Sequence, residues 1–363
     1  MFQSKPHTAP KLIAVRKGFF LAVPAVLMPV FAFLLVELCL NVFGYGYATD
    51  FFIARQVAGR KISFDNARFS QRFFPPQLAR PSCRMAIPAE KPSATYRIFV
   101  LGGSAAMGDP DFSFGFSRML EAMLQHEHPE IQFEVFNVAV TAINSNVVLP
   151  IARDCAGLQP DLFVVYLGNN EVIGPYGPGT VFAPFQSSLG FIRTSVFLNS
   201  TKTVQLLKSL RQEWDSNADE IQAWGGVEMF TENRLRFDDP RMAAVYDHFR
   251  ENLLDICQVG ERAGAKVILS SVATNLQNCA PFGSLHRPDL TDPSLNEWEK
   301  HYRLGMDFEA AGRFDAALAP YSQAAAIDDE FADLHYRLAR CYRSLGKFDA
   351  AQQHYIRARD LDA

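Results

Sequence analysis

Three short polar segments of the chain carry residue types suited to acyl transfer. Residues 102–108 read Gly-Gly-Ser-Ala-Ala-Met-Gly, residues 137–139 read Asn-Val-Ala, and residues 168–171 read Gly-Asn-Asn-Glu. A serine hydroxyl on a tight glycine turn is exposed and can attack a carbonyl carbon. A side-chain amide can donate a hydrogen bond to the oxyanion that this attack creates. The residue types therefore predict Ser104 as a nucleophile and Asn170 as an oxyanion-hole donor.

Each of these segments follows or ends a short apolar run. The runs predict strands at residues 96–101, 133–140, 161–168 and 266–273, and helical spacing predicts helices at 115–126, 143–158 and 241–263. Alternating strands and helices imply a parallel α/β sheet. The ligand site of such a sheet lies at the carboxyl ends of its strands, where the three segments would meet. Residues 172–240 break the alternation and are predicted to be an insertion that shapes the site.

Two other interpretations of the glycine-rich turn are phosphate binding and a simple chain reversal. A phosphate-binding P-loop would need Lys where Asp109 follows Gly108, and the dinucleotide-binding glycine pattern is also missing. Residues 168–171, taken alone, are equally consistent with an Asn-rich turn. The acyl-transfer interpretation rests on the three segments together.

Their order and spacing over residues 96–275 resemble the SGNH, or GDSL-type, serine esterases and acyl hydrolases. The resemblance implies a flavodoxin-like parallel sheet with Ser104 as the nucleophile. It implies an oxyanion hole formed by the N–H groups of Ser104 and Ala139 and by the Asn170 amide. Ala139 stands where the family has Gly, and Ala adopts a positive φ less easily. The positions expected to support the site are Gly103, Asn137, Gly168 and Glu171, where Glu171 replaces the usual Asp.

The resemblance implies an ester substrate, either an O-acyl group on an envelope carbohydrate or a lipid ester. The second substrate would be water in a hydrolase or an acceptor hydroxyl in an acyltransferase. No metal or organic cofactor is implied. The six cysteines are scattered without a C-x-x-C pair, which excludes a zinc ribbon or a thioredoxin-type dithiol.

The general base of the family has no matching segment in this sequence. The family takes it from an Asp-x-x-His segment, yet none of the eight histidines has Asp three residues before it. A serine without an imidazole partner is a poor nucleophile. His286, just after the fourth predicted strand, is the best local substitute. Our sequence-based expectation is that the chain is a fragment and that the last strand, Asp and His follow Ala363.

The N-terminus predicts a membrane anchor. Residues 1–17 hold four basic residues and no acid, and they precede a charge-free run at 18–36. About twenty apolar residues cross a bilayer core of roughly 30 Å, so we predict a transmembrane helix at 18–43. The alternatives are a cleaved signal peptide and a buried core helix. A basic cytoplasmic tail would place the main domain outside the cytoplasm, in the periplasm of a bacterium. Residues 44–95, rich in proline, are predicted to be an extended connector.

Residues 295–363 contain a helical repeat with a period of 34. Phe314 pairs with Phe348, Tyr321 with Tyr355, and Ala324 with Ala358. This pattern resembles two tetratricopeptide repeats, which implies helical hairpins and a protein partner; a purely structural insertion is the alternative. The hydrolase-like domain would then cover residues 96–294. A net charge of −4 argues against a nucleic-acid partner. The rival functional hypothesis is an inactive SGNH-like scaffold that recruits partners through the repeats.

Overall fold

A computed structural model describes residues 11–182, 185–214 and 225–363, with side chains from residue 27 onward except 212–214 and 227. The chain divides into two compact units, residues 1–49 with 194–220 and residues 50–193 with 221–363. The strands are β1 Phe52–Val57, β2 Arg60–Asp65, β3 Ala86–Pro88, β4 Thr95–Gly102, β5 Gln132–Asn137, β6 Leu162–Tyr166 and β7 Lys266–Ser270. The helices are α1 Lys11–Val42, α2 Ser104–Met107, α3 Phe116–Glu127, α4 Ser145–Ala156, α5 Leu189–Leu198, α6 Lys202–Trp214, α7 Arg241–Arg262, α8 Asp292–Ala310, α9 Phe314–Ile327, α10 Ala332–Ser344 and α11 Phe348–Asp360.

The predicted parallel sheet is present in the second unit. Its strand order is β5-β4-β6-β7, and all three pairings are parallel. This order matches the first four strands of the flavodoxin-like arrangement. Strand β4 lies in the middle of the sheet, and residues 98–101 are almost completely buried, as expected for a central parallel strand.

The carboxyl ends of β4, β5 and β6 lie side by side. Val100 is paired with Asn137, and Gly102 is paired with Tyr166. The loops at residues 103, 138–144 and 167–171 therefore lie together at the carboxyl end of the sheet. Strand β5 ends at Asn137, three residues before the predicted end, because residues 138–140 turn away into the loop that precedes α4.

Residues 44–95 are more ordered than the sequence analysis predicted. Strands β1, β2 and β3 form a three-stranded antiparallel sheet within this segment. Phe51 and Phe69 are buried beside it, with ring centroids 5.1 Å apart. The sequence analysis predicted no sheet in residues 52–65 and 86–88, because the prolines of this segment, which lie mostly between the strands, obscured the strand pattern.

The predicted anchor at 18–43 falls largely within helix α1 of the first unit, and residues 1–10 of the predicted basic tail lie outside the described part. Many large apolar side chains between residues 27 and 43 are exposed, among them Met28, Phe31 and Phe43. In the described residues, no helix has the length and hydropathy needed to span a membrane. Glu37 accepts hydrogen bonds from the Lys202 and Thr203 N–H groups at 3.0 and 2.8 Å, which caps α6.

Four C-terminal helices form the two predicted hairpins, α8 with α9 and α10 with α11. The helices of the first hairpin approach closely at Gly305, where a Cβ atom would lie 2.4 Å from the Tyr321 ring. The Tyr321 hydroxyl donates to Glu309 at 2.8 Å, and Arg337 of the second hairpin contacts the same carboxylate at 3.1 Å. Small residues at the helix contact and aromatic residues in the gap explain the 34-residue pattern.

Candidate active site

Ser104 lies at the carboxyl end of the central strand, on a turn that requires both preceding glycines. A Cβ atom on Gly102 would lie 2.4 Å from the Tyr166 carbonyl oxygen and from the Ala106 Cβ. A Cβ atom on Gly103 would lie 2.7 Å from the Asn170 Nδ2 atom. Neither glycine has a positive φ, so backbone conformation is not the reason for them. Both are needed because neighbouring atoms lie too close to leave room for a side chain. Ser104 begins α2 and is half-buried, as expected for a nucleophile at the carboxyl end of a parallel strand.

The Asn170 side chain is held next to this turn. It is buried, and its Nδ2 atom donates to the Ile143 carbonyl oxygen at 3.0 Å. An amide nitrogen carries two protons, so one N–H remains available to a substrate oxygen. The structure therefore brings the predicted nucleophile and the predicted side-chain donor together.

Asn137 connects the end of β5 to helix α2. Its Nδ2 atom donates to the carbonyl oxygens of Ala106 and Met107 at 2.9 and 3.2 Å and to the Ser117 hydroxyl at 3.0 Å. Its Oδ1 atom accepts the Ala139 N–H at 3.1 Å. Ala139 is completely buried, so the predicted backbone donor is already engaged inside the protein.

The sequence analysis missed a different backbone donor, Ala142. This residue has a φ of +64°, the left-handed region in which L-residues other than Gly, Asn and Asp are uncommon. Its N–H has no hydrogen-bond partner among the described residues. The loop between β5 and α4 therefore presents a free amide at Ala142, three residues beyond the one that the motif suggested.

A cavity of about 270 Å³ joins these groups. Ser104, Ala142 and Asn170 all line it, whereas Ala139 is not in its lining. Asp109 and Thr141 also line it, and the Asp109 carboxylate accepts the Thr141 hydroxyl at 2.7 Å. The other described lining residues are Pro110, Ile173, Gly226 and Phe230. The described lining of the cavity therefore contains no histidine.

Glu171 connects the Asn170 segment to the start of α4. Its carboxylate accepts the Ser145 N–H at 2.9 Å and the Ser145 hydroxyl at 2.7 Å, at the start of α4. Burial raises the pKa of Glu171 to about 7, although these hydrogen bonds oppose the shift. Asn252 of α7 is almost fully buried and donates to the Ser145 hydroxyl at 3.0 Å. Glu171 and Asn252 thus fix the segment that carries Asn170 to helices α4 and α7.

Gly168 has a φ of +131°, which favours glycine. A Cβ atom there would lie 3.3 Å from the Val272 side chain, just after β7. Gly168 therefore lets the chain turn sharply between β6 and Asn170. The sequence analysis predicted a supporting role for Gly168 in the site.

His286 lies between β7 and α8, before the repeat segment, and is not in the lining of the Ser104 cavity. Its Nδ1 atom lies 2.7 Å from the buried Asp328 carboxylate. Its ring stacks on Phe331 and meets Trp298 edge-on, both with centroids 4.5 Å apart. The described contacts of His286 are those of a structural residue that packs against the repeats.

Comparison with known proteins gives two matches among solved structures and one family-model match. A crystal structure of TesA matches with a TM-score of 0.27 and 15% identity, covering 63% of this chain and 73% of that one. A crystal structure of the acetyl xylan esterase AlAXEase matches with a TM-score of 0.23 and 11% identity, covering 48% and 76%. None of the curated proteins matches the chain. Residues 309–363 match the family model described as tetratricopeptide repeat, so the helices from α9 to α11 are tetratricopeptide repeats, as predicted.

Proposed function

We propose that this protein is an SGNH-type serine acyl hydrolase or acyltransferase that acts on ester groups. The observation that carries the proposal is the packing of the Asn170 amide against Gly103, within the same cavity as Ser104. This arrangement supports Ser104 as the nucleophile and Asn170 as an oxyanion donor beside one small space. The substrate class is an O-acyl group on a carbohydrate or a lipid ester.

In the proposed reaction the Ser104 Oγ atom attacks the ester carbonyl carbon and gives its proton to a general base. The oxyanion of the tetrahedral intermediate accepts hydrogen bonds from the Ser104 N–H, the Ala142 N–H and the Asn170 amide. Collapse of the intermediate breaks the C–O bond, and the departing alkoxide takes the proton back from the base. Water or an acceptor hydroxyl then attacks the acyl-serine and releases the product.

The general base in this proposal is a histidine supplied from outside residues 1–363. The support is that no histidine occurs among the described residues that line the cavity. We further propose that residues 18–43 anchor the protein in a membrane and that the second unit acts on the extracytoplasmic side. The exposed apolar side chains between residues 27 and 43 support the anchor, and the basic residues before them support the orientation.

The proposal is tested by covalent labelling with a small fluorophosphonate, with the modified residue located by mass spectrometry. Imidazole in the buffer serves as an external base, because none of the described residues that line the cavity is a histidine. We expect labelling of Ser104 in the folded protein and its loss on heat unfolding and in Ser104→Ala. Ser113→Ala, which alters an exposed serine in the same loop region, is the matched control and should label normally.

The scaffold hypothesis is the second candidate, and it is favoured by the same lack of a histidine in the described lining together with the repeats. It predicts no labelling of Ser104 at any imidazole concentration. It also predicts that a bound envelope protein is lost when residues 295–363 are replaced by an unrelated helical hairpin pair. The fluorophosphonate experiment therefore separates the two candidates directly.

A further inference from the structure

A second cavity, of about 500 Å³, lies against the cavity of Ser104. Ile173 and Phe230 line both of them. Phe230 is only 2% exposed, so its ring forms part of the shared wall. A substrate group that passes Ile173 and Phe230 from Ser104 would enter the second cavity.

The walls of the second cavity come from parts of the chain that lie outside the four-stranded sheet. The insertion contributes the turn at Gly226–Asn233 and the residues after it, and α7 contributes Met242. Phe282 and the end of α11 complete the lining. The repeats therefore form one side of a space that opens next to the proposed nucleophile.

Several contacts hold the repeats and the insertion together around this space. Arg236 donates to the His286 carbonyl oxygen at 2.8 Å and contacts the Glu330 carboxylate at 2.5 Å. The Arg357 guanidinium lies 6.0 Å from the centre of the Phe237 ring. The Gly283 N–H, in turn, donates to a carboxylate just after α11 at 2.8 Å. The cavity is thus a built feature of the unit and not a loose surface cleft.

The chemistry of the lining favours a hydrocarbon ligand. Four of the five charged side chains that line the cavity have partners: Arg236 contacts Asp238 and Glu330, Arg359 contacts Asp360, and Asp362 accepts the Gly283 N–H. The Arg234 stem packs against Gly283. The surface that remains for a ligand is apolar and aromatic, and it includes Ile173, Phe230, Leu235, Phe237, Met242 and Phe282.

We propose that the second cavity binds the hydrocarbon chain of the ester that Ser104 attacks, and that the repeats complete this subsite. The inference rests on the proposed function and selects the lipid-like ester over an O-acetyl carbohydrate. The chain can belong to the acyl group or to the alcohol. Each methylene that becomes fully buried in the cavity should raise the rate of reaction with Ser104 by up to about fourfold.

The test compares labelling of Ser104 by an ethyl and a decyl fluorophosphonate in the presence of imidazole. We expect the decyl reagent to label at least tenfold faster. Met242→Trp, which fills the cavity from α7, should bring the decyl-to-ethyl ratio close to one. Met123→Trp is the matched control, because Met123 is 66% exposed on α3 and lines neither cavity; its ratio should equal that of the wild type.

Two series of esters then identify the side that carries the chain. p-Nitrophenyl alkanoates vary the acyl group, and alkyl acetates vary the alcohol; the series whose rate rises with chain length, and falls in Met242→Trp, contains the bound chain. Labelling by the ethyl reagent with no chain-length preference would overturn the subsite and leave the proposed function intact. Labelling by neither reagent would remove the proposed function and the subsite with it.

Discussion

The Asn170 side-chain amide occupies the space that a methyl group on residue 103 would fill, with Nδ2 2.7 Å from the position of that Cβ atom. Asn170 is also fixed by its hydrogen bond to the Ile143 carbonyl oxygen. The glycine before Ser104 is thereby matched in shape to Asn170, the proposed oxyanion donor. The two segments that were recognised separately in the sequence are complementary in shape.

Gly103→Ala should therefore displace the Asn170 amide and slow labelling of Ser104 by about 10²–10³-fold, the usual cost of losing one oxyanion donor. Fluorophosphonate labelling rates measure the effect, and circular dichroism establishes that the variant is folded. Gly157→Ala is the control, since a Cβ atom there meets nothing closer than 3.6 Å and its φ is −74°. Equal labelling rates for the two variants would contradict the role assigned to Asn170.

The two alanines of the β5–α4 loop should respond differently to replacement by glycine. Ala142→Gly relieves a left-handed backbone that costs an L-residue roughly 1–2 kcal/mol, which offsets the extra flexibility of glycine in the unfolded chain. Ala139→Gly removes a buried methyl group and should lower the free energy of unfolding by about 1–2 kcal/mol. Urea unfolding measures both. We expect Ala142→Gly to keep the wild-type stability and labelling rate; a loss similar to that of Ala139→Gly would show that Ala142 is not strained.

The difference between these alanines could not be predicted from the sequence, although much of the fold could. Apolar runs and glycine turns predicted β4, β5, β6 and β7, and motif order predicted that Ser104 and Asn170 would meet. A positive φ at Ala142 leaves no trace in residue type, because alanine is common everywhere. The partners of Glu171 were equally hidden, since Ser145 and Asn252 lie far from it in sequence and no periodicity links them.

The raised pKa of Glu171 gives a pH dependence with a definite sign. The ordinary pKa is 4.5 and the folded pKa is about 7, so between these values the folded state binds more protons than the unfolded state. The free energy of unfolding should therefore fall as pH rises from 4.5 to 7 and should not change further above 7 on account of this group. Asp154, whose pKa burial raises to about 6, contributes in the same direction.

Glu171→Gln isolates the first contribution, because it removes one titration and leaves that of Asp154. Urea unfolding of the wild type and the variant at pH 5 and pH 7.5 is the measurement. The wild type should lose more stability than the variant between the two values. Parallel losses would mean that Glu171 titrates normally in the folded protein.

His286 should prove structural and not catalytic. Its ring lies between Phe331 and Trp298, and its Nδ1 atom contacts Asp328, whose side chain is fully buried. Burial alone would raise the pKa of Asp328, yet its pKa is lowered because the hydrogen bond and charge of His286, together with backbone hydrogen bonds from Glu330 and Arg287, outweigh that effect. Replacing His286 leaves this buried carboxylate without one of its donors, which costs about 1–3 kcal/mol.

His286→Gln should therefore lower the free energy of unfolding by that amount, while Ser104 in the folded variant labels at the wild-type rate. Labelling below the midpoint of the urea transition separates the two effects. His301→Gln, which alters a partly exposed histidine on α8, controls for the general loss of an imidazole from the repeats. If His286→Gln abolished labelling and preserved stability, His286 would be the general base, and the aromatic and carboxylate contacts described here would have to rearrange to bring it to Ser104.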